Sequence, residues 1–530
     1  MEDLTIVLVA LYRYLNFPVR TMHPLLEKID GVKPHSIFFK DCETNSFNYP
    51  TRKEEALFID LIKKLNPRIV GFSVLSPYVP VASRLTRLIK EYNQSTLVIW
   101  GGAHVTISPE SCIDQVDMLC VGEGEGAIGE LAECVRNEKS YHAVNNLWVK
   151  NGDRVIKNPL RPLIQDLNSL PFPAYGKDSY YFINSNKVVK KDPAFLADTF
   201  LVQTSRGCPY SCSYCINSLL QSLFKGLGPY TRRRSVDNVI KEIRENNRAD
   251  TIYFIDEVFG TDKSWLDEFE TRYSKEVGLP FYVEYNPKVI NTTIISKLVN
   301  AGLDMINFGI QSGSDFIRNQ IFNRPGTNEE IIKLAQELAG YKVKVKYDLI
   351  IDNPYDTEES LKGTIELLLR LPKPLFFNLY SLQYFPHHPL TEKAIRDKYI
   401  RPEFTHVDVL MKRITQNWVF VPRLFPLTKK QILQNIIWLI VWNHAQDRTV
   451  RYALSRDTVG SRLCLAYLNF KAIILGKILG IGGFVWRNRW IAYCMRGFSY
   501  VLRGDFGSLY VKIKKKVNKR RSSALRQKTS

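Results

Sequence analysis

A chain of 530 residues exceeds what a single hydrophobic core organises, and several domains are expected. Hydrophobic residues at 45% and charged residues at 24% exclude a disordered or fibrous chain, and nine cysteines exclude a disulfide scaffold, since six of them (Cys42, Cys112, Cys120, Cys134, Cys464, Cys494) show no paired spacing. The formal charge of +20 is uneven: thirteen Lys or Arg and one acid, Asp505, lie between Arg487 and Ser530, which puts +12 in the last 44 residues and gives no ground for nucleic-acid binding by the rest.

The predicted elements begin with an alternation of strand and helix. MEDLTIVLVALYRYL starts acidic, and its apolar run is too short for a secretory signal; it reads as a first strand in a protein of the reducing cytoplasm. SIFFKD is a second strand. EEALFIDLIKKLNP has helical spacing and stops at Pro67. IVGFSVLS and LVIWGGAH read as buried strands ending in small residues, with the helix PVASRLTRLIKEYN between them. DMLCVGEGEGAIGELAECV is a strand, a Gly-rich turn and a helix start. This pattern predicts a doubly wound, Rossmann-like α/β domain over residues 1–142. Such sheets bind ligands beyond the carboxyl ends of their strands, where Ser73, Ser76, Gly101, Gly102, Gly122, Glu123 and Gly124 fall. PLRPLIQDLNSLPFPAYG (159–176) is Pro-rich and aperiodic, and a linker is expected over 143–192.

Between 193 and 400 the alternation resumes. FLVQTSRG, TIYFIDEVF, PFYVEYNP, MINFGIQSG, VKYDLIID and PLFFNLYSLQYF are strand-like, and helical patterns separate them. Six βα units predict a partial (βα)6 barrel of the TIM type, with its chemistry at the strand carboxyl ends. The segment 401–530 reads as helical, aromatic and basic. Its apolar stretches at 431–442 and 466–486 are too interrupted to span a membrane cleanly, the second by Lys471 and Lys477. The final KIKKKVNKRRSSALRQKTS is expected to be disordered.

RGCPYSCSYC (206–215) follows the first strand of the second alternation and holds Cys208, Cys212 and Cys215. Three soft thiolates in one short loop suit a [4Fe–4S] cluster that leaves one iron open. A tetrahedral zinc site wants four ligands, and no fourth Cys or His lies nearby. Free thiols, or zinc with a distant partner, stay open as alternatives at this point.

The triad, with Tyr214 before its last cysteine, resembles the signature of the radical S-adenosylmethionine (SAM) superfamily. IVGFSVLSPYVPVASRLTRLIK, LVIWGGAHVTISPE, VGEGEG, DLNSLPFPAYG, FIDEVFGTD, NFGIQSGSD and DLIIDNPYDTEES are similar to its cobalamin-binding branch, and the resemblance covers about residues 1–395. It implies that the three cysteines hold three irons of a [4Fe–4S] cluster, that S-adenosylmethionine chelates the fourth, and that cobalamin binds the first domain. It also implies that Tyr214 lies against the adenine, that Asp256 and Glu257 meet the methionine amino group, and that Gln311 and Ser312 sit where ribose is held. Many relatives carry Glu at the position of Gln311. The first domain lacks the Asp-x-His-x-x-Gly that supplies a lower cobalt ligand in mutases. His23 and His104 are the nearby histidines, and cobalamin without a protein imidazole is the expectation.

The implied reaction is methylation of an unactivated carbon or a phosphinate phosphorus. A cobalamin-dependent cyclase shares every residue named; a cobalamin sensor would not need an open-iron triad in a barrel, and an electron carrier more often brings four cysteines per cluster. The implied partners are a small-molecule substrate and an electron donor such as flavodoxin or ferredoxin, with no nucleic acid. The C-terminal segment resembles nothing and leaves two readings. One is a helical lid on the barrel. The other is a peripheral contact with the inner face of a membrane, which goes with a hydrophobic or lipid-like substrate.

Overall fold

Alternate residues of strand β1 (Leu4–Leu11) feed two different cores. Val7, Val9 and Leu11 enter one, and Leu4, Ile6, Leu8 and Ala10 enter the other. A strand buried on both faces reads as an unbroken apolar run, and helices must cover both sides of its sheet. That is the architecture of the computed structural model, which describes residues 3–41, 48–196, 199–246, 250–341, 343–417, 419–424, 427–455 and 458–478. The basic tail and the part of the second apolar stretch beyond 478 lie outside the described residues.

The first sheet has nine strands: β1, β2 (Val32–Phe39), β3 (Ile69–Ser73), β4 (Leu97–Gly101), β5 (Met118–Cys120), β6 (Leu147–Asn151), β7 (Arg154–Lys157), β8 (Tyr180–Asn184) and β9 (Lys187–Val189). Their order is β7-β6-β5-β4-β3-β1-β2-β8-β9. The centre, from β5 to β8, is parallel, and the chain reverses direction of winding between β1 and β3. The two outer hairpins, β6–β7 and β8–β9, are antiparallel. The segment expected as a linker therefore supplies four strands to this sheet, and only its middle is extended coil. Tight turns close both hairpins: Gly152 has φ +60°, and Ser185 and Asn186 have φ 51° and 61°.

The second sheet holds six parallel strands in the order β10 (Thr199–Val202), β13 (Thr251–Phe254), β14 (Phe281–Tyr285), β15 (Leu303–Gln311), β16 (Lys344–Ile351) and β17 (Phe376–Ser381). It is the expected partial barrel, open between β10 and β17. A short ribbon, β11 (Ser205–Arg206) with β12 (Arg232–Arg233), stands beside it. Outward residues such as Phe254, Val283, Phe308 and Leu349 join the core under the helices. Inward residues such as Tyr253, Glu284, Lys346, Asp348 and Asn378 are half-buried, so the lumen is polar. Tyr253 donates to Glu284, and Asn307 and Asn378 donate to the two oxygens of Asp348 at 2.8 and 2.7 Å.

The C-terminal helices from Lys429 onward pack on the barrel, whereas Val407–Asn417 buries Met411 in the core of the first domain. Within Lys429–Val441, every residue from Leu433 to Val441 is buried, and the apolar ones join the barrel core. This corrects the interfacial reading of the stretch at 431–442: a helix buried all round, its polar Gln434 and Asn435 included, is a core helix. The next long helix, Val459–Ile473, packs through Leu468, Ala472 and Ile473, and buried Asn435 donates to Asn469 at 2.8 Å between the two.

Candidate active site

The cysteine loop is built by the turn that follows β11. Cys208 and Cys212 are buried, Cys215 is half-buried, and all three are free. Cys215 caps the helix Ile216–Leu223. Gln221 reaches back from that helix and donates to the carbonyls of Cys208 and Tyr210 at 2.5 and 3.1 Å. Ser213 ties the loop to the other side of the mouth, donating its hydroxyl to Ile321 at 2.6 Å and its amide to Phe322 at 3.0 Å.

Two donors face the sulfurs. Arg324 Nη1 lies 3.7 Å from Cys212 Sγ, while its Nε donates to the Gly309 carbonyl at 2.6 Å. Asn217 Nδ2 lies 3.7 Å from Cys215 Sγ and is oriented by Tyr230, whose hydroxyl donates to its Oδ1 at 2.5 Å. Burial pushes the Cys208 thiol up to about 11, against a hydrogen bond from the Tyr210 amide, and the charges of Cys215, Glu257 and Cys212 add to it. Burial also raises Cys215. Among the described residues no three His, Cys, Asp or Glu side chains are already drawn to metal-ligand distance. The donor set nonetheless fits an anionic cluster: three thiols on one loop, with N–H groups aimed at two of them to offset negative charge.

The acidic pair at the end of β13 splits. Asp256 is 1% exposed and accepts from the Thr204 amide at 3.2 Å, the Thr204 hydroxyl at 2.7 Å and the Ser205 hydroxyl. Its carboxylate is committed to the end of β10. Glu257 is exposed, yet protein surrounds it, as for a side chain lining a deep mouth; desolvation raises its carboxyl to about 7. Its charge reaches Cys208 and Cys215. Of the two acids, Glu257 alone faces the cysteine loop.

Tyr214 stacks edge-on against Phe322, with centroids 5.1 Å apart, and burial raises its hydroxyl beyond the usual tyrosine range. Gln311 ends β15 after a register shift, buried and with φ 61°, a strained conformation of the kind that clusters at functional sites. Ser312 turns its hydroxyl to the Ser314 amide at 3.1 Å, and its carbonyl accepts from Arg318 at 2.7 Å.

At the carboxyl edge of the first sheet, Ser73, Gly101, Gly102, Gly122 and Glu123 are half-buried and Ser76 and Gly124 are buried. Asn16 donates to Ser73 Oγ at 3.2 Å, and Ser76 Oγ lies 2.9 Å from His104 Nδ1. Gly102 has φ 104°, and a Cβ there would lie 2.8 Å from the Val74 carbonyl, so only glycine lets these two loops cross. His23 is spent: its two nitrogens meet Ser36 and Ser179 at 2.8 and 3.0 Å. His104 Nε2 is buried without a hydrogen-bond partner. Small, half-open residues and one orphaned ring nitrogen at this edge fit a broad ligand with polar edges such as cobalamin.

The two mouths face each other. Arg13, after β1, is within electrostatic range of Tyr380 on β17, and His104 of His387. Phe224 of the barrel lies against Gly122. Glu123, expected at the cofactor, instead accepts from Arg206 at 3.0 Å and from Arg232 at 2.9 and 3.1 Å. Arg206, Arg232 and Arg324 escaped sequence reasoning. The available signal was the arginine directly before Gly207-Cys208.

A radical SAM superfamily model matches residues 202–368, and a B12 binding domain model matches residues 38–132. An uncharacterized methyltransferase of Pyrococcus horikoshii is 26% identical over 376 residues, covering 68% of this chain and 78% of its own. The anaerobic magnesium-protoporphyrin IX monomethyl ester cyclase of Cereibacter sphaeroides is 23% identical over 58% of this chain and 50% of its own. The radical S-adenosylmethionine methyltransferase TsrM of Kitasatospora setae, solved with cobalamin and a [4Fe–4S] cluster bound, shares the fold with a TM-score of 0.61 at 14% identity, over 89% of this chain and 99% of its own.

Proposed function

We propose, on the premise that this chain belongs to the radical SAM superfamily and carries a B12-binding domain, that it is a cobalamin-dependent methyltransferase acting on an unactivated carbon or a phosphinate phosphorus of a biosynthetic intermediate. Its cofactors are a [4Fe–4S] cluster, S-adenosylmethionine and cobalamin. The observation that supports the reading is the apposition of the two mouths, which sets the cysteine loop across from the glycine-lined edge, where a substrate would meet both. When bound, the cofactors supply a 5′-deoxyadenosyl radical on one side and a transferable methyl group on the other.

In this reading Cys208, Cys212 and Cys215 hold three irons, and Arg324 and Asn217 offset the charge on their sulfurs. Glu257 takes the ammonium of S-adenosylmethionine, and Asp256 supports it from behind by fixing the end of β10. Tyr214 lies against the adenine, and the strained turn at Gln311 and Ser312 borders the ribose. Ser73, Ser76, Gly101, Gly102, Gly122 and Gly124 line the corrin. The barrel wall keeps water from the radical. The test is to incubate reduced, reconstituted enzyme with a metabolite extract from a strain lacking its gene and with methyl-labelled S-adenosylmethionine. Label entering a new compound, together with 5′-deoxyadenosine, is expected. The second reading, a cyclase, has the Cereibacter relative in its favour; 5′-deoxyadenosine with an unlabelled product would select it.

The protein acts on a small molecule and takes electrons from a reductant, for which flavodoxin or ferredoxin in the cytoplasm is the natural source. We further propose that it touches the inner face of a membrane. On the helix Val459–Ile473, Val459, Leu463, Tyr467 and Phe470 recur at helical spacing and are 56 to 75% exposed. Val459–Gly476 is long and apolar enough to cross a membrane by composition and is one-third buried. The sequence then runs into the +12 tail, the charge that anionic lipid attracts. An amphiphilic or lipid-like substrate suits such a site. Leu463→Glu with Phe470→Glu should abolish co-sedimentation with anionic vesicles at low salt. Wild-type protein that stays in the supernatant, or that dimerises through this face instead, overturns the proposal.

A further inference from the structure

Glu123 stands on the loop after β5 and Glu125 opens the helix Glu125–Arg136 that follows, and Arg206 and Arg232 are cross-strand neighbours on the ribbon β11–β12. Arg206 bridges both acids, at 3.0 Å to Glu123 and 2.6 Å to Glu125. Arg232 grips Glu123 and also donates to the Ile164 carbonyl at 3.0 Å, while the Ile164 amide donates back to Glu123 at 2.8 Å. The Glu123 carbonyl accepts from Asn146 at 2.6 Å. Two cations and two anions thus balance inside an interface where Arg232 is 5% and Glu125 9% exposed. Three segments that are remote in sequence meet at one carboxylate.

The clasp is closely packed on both sides. Arg206 is separated from Cys208 only by Gly207, whose φ of +88° and contact with the Tyr230 carbonyl leave no room for a side chain. Glu123 sits between Gly122, at φ +91°, and Gly124, where a Cβ would press on Met22. The ion pairs tie the two loops together, so displacement of one would carry to the other. We infer that this clasp sets the separation between the cluster side and the cobalamin side of the cleft, with Glu123 as its positioning residue. The inference rests on the methyltransferase reading, because a methyl group and a carbon radical must meet at one fixed distance. A misplacement of about 1 Å costs on the order of 10²-fold in rate.

The test uses full-length protein loaded with cluster and cobalamin, and it needs no substrate. Microwave power saturation of the cob(II)alamin paramagnetic resonance signal is compared with the cluster oxidised and reduced, since the reduced cluster speeds cobalt relaxation in a way that falls steeply with distance. Glu123→Gln, which turns a donor toward the guanidinium groups, should change the relaxation enhancement while both cofactors stay loaded. Glu125→Gln, which removes one contact, should change it less. Glu130→Gln, on the helix Glu125–Arg136, breaks only the surface pair with Arg161 and should match wild type. With substrate in hand, product formed per 5′-deoxyadenosine should fall about 10²-fold in Glu123→Gln. Wild-type enhancement in both clasp variants overturns the inference. So does loss of cobalamin from both variants with the cluster retained, which would make the clasp part of the cofactor site. A changed enhancement without any methyl transfer would keep the spacing role and sink the methyltransferase reading.

Discussion

Replacing Arg324 by Met should lower the reduction potential of the cluster. The guanidinium lies 3.7 Å from Cys212 Sγ and is half-buried. At an effective dielectric of about 20, a unit charge at that distance is worth about 4 kcal/mol to an electron on the sulfur. An added electron spreads over the whole cluster, whose centre is farther away, and partial exposure screens the guanidinium, so about half of that, about 2 kcal/mol, is the expected effect. For one electron this is on the order of 90 mV. The sign is fixed: removing a cation destabilises the more negative, reduced state, so the potential falls. Anaerobic potentiometry, followed by the resonance signal of the reduced cluster, reads the shift directly. Arg324→Lys keeps the charge and should retain most of the wild-type value while losing the bond to the Gly309 carbonyl. A shift below about 20 mV, or an upward one, in a Met variant with full iron content would refute the electrostatic reasoning.

Changing Cys208, Cys212 and Cys215 together to Ala should remove iron and sulfide from anaerobically reconstituted protein, and analysis that finds both retained would reject the cluster assignment. Asp256→Ala orphans three donors from Thr204 and Ser205 at about 1–3 kcal/mol each, so urea unfolding should show a loss of about 3 kcal/mol or more, whereas Glu257→Gln should weaken binding of S-adenosylmethionine with little loss of stability. Arg20→Met strands Asp192, which Arg20 holds at 2.7 and 3.0 Å, and should cost about 3–5 kcal/mol. Burial works against the Asp192 carboxylate, but the Arg20 hydrogen bond and charge hold its carboxyl below the ordinary 3.8. Its stabilisation is therefore present above about pH 4 and lost as pH falls through the depressed value, so the gap between wild type and variant should narrow in acid.

The central strands were legible because two-sided burial writes an unbroken apolar run, as in LTIVLVAL and IVGFS. The hairpins β6–β7 and β8–β9 were not, since short edge strands carry half polar residues. Their turns, Gly152-Asp153 and Ser185-Asn186, were the signal available. The three cysteines stood out by their spacing, while their assignment to a cluster came with the family resemblance. The acids after β13 could have been separated by the period of two: Phe254 faces the core and Tyr253 the lumen, so continuing the strand puts Asp256 on the core side and Glu257 on the lumen side. Arg324 and Arg232 could not be read, because their partners lie 112 and 109 residues away in sequence. The stretch at 431–442 is buried on every face, Gln434 and Asn435 included, which is the mark of a core helix rather than a surface one.

That core helix also governs the order of events during synthesis. The last barrel strand ends at Ser381, but the helix that completes the core beneath it ends at Val441, 60 residues later. At about 5–20 residues per second, the ribosome leaves the barrel without that cover for about 3–12 s. Until Val419, which bridges Tyr380, and Phe420, whose amide bonds to the Leu379 carbonyl, have followed, β17 is an open edge. A nascent chain stalled before residue 419 would present an unpaired parallel edge above an unfinished core, the state most prone to pair with its neighbours. Slow codons or a pause between 381 and 441 should therefore lower soluble yield more than the same pause placed after the helix has emerged.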